Sequence, residues 1–132
     1  MLVVALITAS TGVAAGPAWV AVAASPDMRI LVDAGSVTKN SRGVIDLWTK
    51  TRYASPQTAT GIQYAADMTR FALDCAAARY GITGGKFLDA QGKVLRQFDE
   101  PAAELEPIPV ASKIDAVARA VCPMGRGTWR GK

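Results

Sequence analysis

Few residues in this chain carry groups that can do chemistry. Asp33, Asp46, Asp74 and Asp89 are the candidates for paired acid–base work. They fall at strand ends and outward positions of the elements read below, where solvated or turn-forming acids are the rule. Ser112-Lys113 has the residue types of a Ser–Lys dyad. Adjacent residues at a helix start do not face each other, so Ser112 reads as a helix cap. Gly81-Ile82-Thr83-Gly84-Gly85-Lys86 has a faint likeness to a phosphate-binding loop. It lacks the glycine spacing and the Ser or Thr after Lys that such a loop needs, and reads as a bend in a strand. The sequence has no His, which removes His-based proton transfer, Ser-His-Asp and Cys-His catalysis, and His-ligated metal. Two Cys cannot make a four-thiolate zinc site. This inventory predicts no enzyme, no catalytic residue, no metal and no cofactor.

Among the aromatics, Trp19 and Trp48 lie in strand-like stretches, where sheet packing is commoner than ligand stacking. Trp129 differs. With Arg126, Arg130 and Lys132 it forms a basic C-terminal tail, residues 123–132. Such a tail is a weak candidate for contact with an anionic surface, against the plain alternative of a solvated terminus. The formal charge is +4, and most of it sits in this tail. The rest of the chain is close to neutral, which predicts no nucleic-acid binding.

The 132 residues suffice for one small domain. Residues 1–25 carry no charged side chain. Leu2 to Ile7 reads as the apolar part of a signal peptide, and Val13-Ala14-Ala15 supplies small residues before Gly16. The expected signal is 1–15. A later cut after Ala21-Val22-Ala23 also fits, and no basic residue follows Met1. The competing reading is a membrane helix over residues 2–24, although Gly12, Gly16 and Pro17 interrupt it. A third is a buried core segment. No Cys stands near the end of the leader, so no lipid anchor and no stable span after cleavage are expected.

Export gives Cys75 and Cys122 an oxidising compartment, where an even count points to a bridge. Two free thiols or a redox pair are the alternatives, but no Cys-x-x-Cys motif is present.

Trp19 to Ala23 and Met28 to Asp33 read as two strands of a hairpin, with Ser25-Pro26-Asp27 as the turn. Lys39 to Gly43 is a polar turn. Val44 to Tyr53 alternates, with Ile45, Leu47 and Thr49 on one face and Val44, Asp46, Trp48 and Lys50 on the other. Residues 54–66 hold turn formers and no charge, and read as a loop. Arg70 to Ala76 alternates again, placing Phe71, Leu73 and Cys75 together. Arg79 to Leu88 is a strand weakened or bulged at Gly84-Gly85. A turn at Asp89 to Gly92 leads into Lys93 to Phe98. Pro101 to Pro109 is a connector. The period then changes: Ile114, Val117, Ala118, Val121 and Cys122 form one helical stripe. Ser112 caps it with Asp115 three residues on, and Pro123 and Gly125 end it. A Cys75–Cys122 bond would staple this helix to the sheet.

The order of these features resembles the surface-adhesin protein E family. The residues that carry the likeness are Trp19-Val20-Ala21-Val22, then Leu31-Val32-Asp33-Ala34-Gly35-Ser36-Val37, then Val44-Ile45-Asp46-Leu47-Trp48. Asp74-Cys75 with Arg79-Tyr80 follows, then Phe87 to Val94, Ile108 to Ser112, and Val121-Cys122. The likeness spans Trp19 to Cys122. It implies an antiparallel sheet with a C-terminal helix tied by the disulfide. It also implies a bacterial surface protein that binds host matrix or plasma proteins. No host-binding residue carries over position by position.

The expected fold is α+β, with a five- or six-stranded antiparallel sheet and one helix on its face, over a domain of residues 16–122. The expected function is an exported, non-enzymatic, adhesin-like protein-binding domain that takes a host or envelope protein, with a homodimer allowed. Its place is the periplasm, the medium or the cell surface. The competing reading is a soluble periplasmic accessory or structural envelope protein. The binding reading predicts an exposed sheet edge or apolar patch.

Overall fold

A computed structural model describes residues 17–125. Those residues form one antiparallel sheet with a helix on one face. The strands are β1 (Trp19–Ala24), β2 (Met28–Asp33), β3 (Thr38–Lys39), β4 (Val44–Ala59), β5 (Ile62–Asp74), β6 (Arg79–Leu88), β7 (Val94–Asp99) and β8 (Glu106–Pro107). The helix α1 is Lys113–Gly125. The six longer strands lie in the order β1-β2-β4-β5-β6-β7, while β3 adds to β4 and β8 to β6. Among the described residues no helix is long and apolar enough to cross a membrane.

The alternation in β4 sets the core. Ile45, Leu47, Thr49 and Thr51 are all buried on the face that carries α1. Phe71 and Leu73 of β5 and Ile30 and Val32 of β2 join them. The helix contributes the stripe Ile114, Val117, Ala118, Val121 and Cys122, buried throughout. A period of two in the strands meets a period of 3.6 in the helix, and both present their apolar side to one seam.

Ser112 caps the helix as its residue type predicts. Its Oγ accepts from the Asp115 N–H at 3.1 Å and donates to the Pro109 carbonyl at 2.7 Å. The Asp115 carboxylate reaches back to accept from the Ala111 N–H at 2.9 Å. The two exchanges satisfy donors that a helix start otherwise leaves open.

The Cys75–Cys122 disulfide is formed, with the Cα atoms 5.7 Å apart. It joins the end of β5 to the last turns of α1. The cysteines are 47 residues apart, so the closed loop contributes about 4 kcal/mol by restricting the unfolded chain.

Three expectations need correction. Residues 54–66 are not a loop. They are the far half of a long hairpin, in which Gln57 pairs with Tyr64 and Ala59 with Ile62. The register slips between Arg52 and Gln57, so Pro56, which has no N–H to give, sits in a bulge. Thr60 (φ 43°) and Gly61 (φ 77°) close the hairpin with two left-handed residues, the geometry of a two-residue turn that matches strand twist. Second, α1 continues through Pro123 and ends at Gly125. Third, the alternative of a membrane helix over residues 2–24 fails for residues 19–24, which are strand β1.

Candidate binding surface

The acids are dispersed, and each has a local task. The Asp33 carboxylate accepts from the Ala18 and Gly35 N–H groups at 2.9 and 3.0 Å. Asp46 takes three hydrogen bonds from Arg70, at 3.1, 3.2 and 3.0 Å. Asp74 accepts from the Ala77 N–H, and Asp89 from the Gln91 and Lys93 N–H groups. No two of these four carboxylates share a site. Gly81 to Lys86 lies within β6, and the bulge falls at Thr83, beside the glycine pair. Arg126, Trp129, Arg130 and Lys132 lie outside the described residues.

A polar cluster that sequence reasoning missed ties the start of α1 to the sheet. Tyr53 donates to Asp67 Oδ2 at 2.7 Å, and Lys113 Nζ donates to the Tyr53 hydroxyl at 3.0 Å and to Thr51 Oγ1 at 3.3 Å. Burial, and then the Asp67 carboxylate, push the Tyr53 hydroxyl well above the usual tyrosine range. Asp67 Oδ1 is buried and has no partner among the described residues. The signal was weak, because Tyr53 closes one expected strand, while Asp67 falls between the expected loop, 54–66, and the expected strand from Arg70.

The helix covers one half of its face. Beyond it, aromatic rings follow one another: Tyr53 meets Tyr64 at 5.9 Å between centroids, and Tyr64 meets Phe87 at 4.6 Å. Strand β7 borders this row. It pairs with β6 on one side, and no described strand lies on its other side. All its residues are exposed, including Val94 (41%), Leu95 (39%) and Phe98 (46%). The Phe98 ring lies over Gly85, so close that a Cβ at Gly85 would stand 2.5 Å from its Cε1. An edge strand with unpaired backbone groups and apolar side chains is a template for pairing. Its signal in the sequence was the adjacent apolar pair Val94-Leu95, of which Leu95 is the extra residue of a bulge against β6.

The opposite sheet face carries charge. Trp19 and Trp48 lie there, half-buried, with Lys50 Nζ 5.6 Å from the first ring and Lys86 Nζ 5.5 Å from the second. Both rings thus pack on the sheet and hold a cation. Arg29 stands directly opposite Arg52. Desolvation, and then Arg52, hold the Lys50 ammonium below the usual lysine range.

The model of the surface-adhesin protein E family matches residues 19–123, a span that takes in the antiparallel sheet, both disulfide cysteines and most of the C-terminal helix. The chain belongs to the surface-adhesin protein E family. No curated protein and no solved structure gives a match. The match starts at the first residue of β1 and ends one residue past Cys122, so it takes in the whole stapled sheet.

Proposed function

We propose that this protein is an exported, non-enzymatic, adhesin-like binding domain that holds its protein partner along β7. The observation that carries this is the open β7 edge, with Val94, Leu95 and Phe98 exposed and Phe98 on the face of the Tyr53–Tyr64–Phe87 row. A partner strand laid on β7 would gain main-chain hydrogen bonds, and the apolar side chains would select it. Family membership supports the reading. The disulfide supports a place outside the cytoplasm, either periplasm or surface. Signal cleavage after Ala15 fits this reading, since it leaves β1 whole, whereas a cut after Ala23 would remove most of that strand.

The test is saturable binding by the purified protein to a panel of matrix, plasma and envelope proteins, with Leu95→Lys and Phe98→Ser variants alongside. The reading expects at least one partner, lost in both variants while thermal unfolding is unchanged. Binding that survives both substitutions would sink it. Whole-cell protease exposure then separates a surface protein from a periplasmic accessory one.

A further inference from the structure

The sheet face away from α1 has a cleft of about 410 Å³ that β7 does not share. Its floor is Ala66 and Leu88, both buried and paired across β5 and β6. One wall is Lys50 and Arg52, two residues apart on β4 and so on the same face. The other wall is the β6–β7 turn, Asp89 to Gly92. Arg29 flanks Arg52 from β2. Among the described residues, no ion pair involves Lys50, Arg52 or Arg29.

Like charges directly opposite each other on a sheet are destabilising. Arg29 and Arg52 hold that arrangement, and Lys50 adds a third cation to it. A negative group between them would relieve the repulsion. The turn shows which kind. Its N–H groups at Gln91 and Lys93 are used by the Asp89 carboxylate, and that of Gly92 by the Asp89 carbonyl. That wall therefore offers Asp89 itself in place of the free amides that cradle phosphate. Its charge opposes a dianion or polyanion more strongly than a single carboxylate. A single carboxylate can reach Lys50 and the planar fork of Arg52, and its aliphatic neighbours suit the Ala66–Leu88 floor.

We infer that this cleft receives an acidic segment of a protein partner, with a carboxylate on Lys50 and Arg52 and an apolar side chain on Ala66 and Leu88. The inference rests on the protein-binding reading above and names the partner's chemistry at a second face.

The experiment titrates the full chain with a capped Leu-Glu-Leu-Glu peptide and its Leu-Gln-Leu-Gln counterpart, following the Lys50 and Arg52 side-chain resonances by NMR. The Glu peptide should give saturable shifts at both residues and bind at least about tenfold tighter than the Gln peptide. The double variant Lys50→Gln/Arg52→Gln should lose that preference, and Lys39→Gln should keep it. Equal affinity for the two peptides would overturn the inference, and so would a preference that survives in the double variant. Stronger competition by inorganic phosphate or a sulfated heparin fragment would also overturn it, marking a polyanion site. Loss of partner capture in the β7 variants, without any Glu preference, sinks this inference and leaves the β7 reading standing. A Glu preference with no effect of the β7 variants does the reverse.

Discussion

The Phe98 ring rests on the bare backbone of Gly85, where a Cβ would lie 2.5 Å from Cε1 and 2.8 Å from Cζ. Both atoms are at the free end of a half-exposed side chain, so the ring has room to swing away. The Met68 carbonyl oxygen would stand 3.3 Å from the same Cβ and must give slightly, so Gly85→Ala is expected to cost about 1 kcal/mol of stability. It moves Phe98 off its seat and reshapes the β7 surface. Partner binding should weaken by far more than the shift in thermal unfolding implies, and the two measured together check this.

Edge strands also pair with copies of themselves. If β7 does so, sedimentation velocity over a concentration series shows a dimer that Phe98→Ser and Leu95→Lys dissociate. A monomer at every concentration leaves the edge free for a different partner.

The bond between Cys75 and Cys122 closes most of the core seam. Replacing both with Ala should lower the unfolding free energy by about 4 kcal/mol, as judged from denaturant midpoints at constant m-value. A loss near zero would mean that packing of the helix stripe alone holds α1.

Tyr53 should make stability fall at alkaline pH. Its folded-state value lies above the ordinary one, so the folded protein keeps a proton that the unfolded chain releases. The stabilisation is fully present below the ordinary tyrosine value of about 10 and is lost as pH rises above it. Unfolding free energies measured from pH 9 upward should decline more steeply in the native protein than in Tyr53→Phe. Parallel curves would show that the Tyr53 hydroxyl ionises alike in the folded and the unfolded chain.

Ser112→Ala removes the acceptor that holds the Asp115 N–H. The expected cost is about 1 kcal/mol. Hydrogen exchange should show the loss first in the opening turn of α1, and a uniform loss over the sheet would argue for a wider role.

Local signals were legible wherever one residue decides local geometry. Asp89 turns the chain onto its own amides, Ser112 starts a helix, and Ile45-Leu47-Thr49 face inward because alternation leaves no other choice. The extension of β4 and β5 through residues 54–66 was not legible. Thr, Gln, Ala and Tyr carry no apolar alternation there, and Pro56 breaks the pattern. Those residues became strand because β4 and β5 were already paired and the Thr60-Gly61 turn closed them.

The binding surfaces divide along the same line. By itself the sequence determined the single stapled domain, its strand periodicities, its helix and the dispersal of its acids. Those follow from side-chain type and short-range spacing, which act before the chain is compact. Only the tertiary structure decided that β7 would be an edge, that α1 would leave the Tyr53–Tyr64–Phe87 row uncovered, and that Lys50 and Arg52 would face the Asp89 turn over Ala66 and Leu88. Strand order and helix placement depend on contacts between residues far apart in the chain, and one segment's pattern does not record what lies beside it.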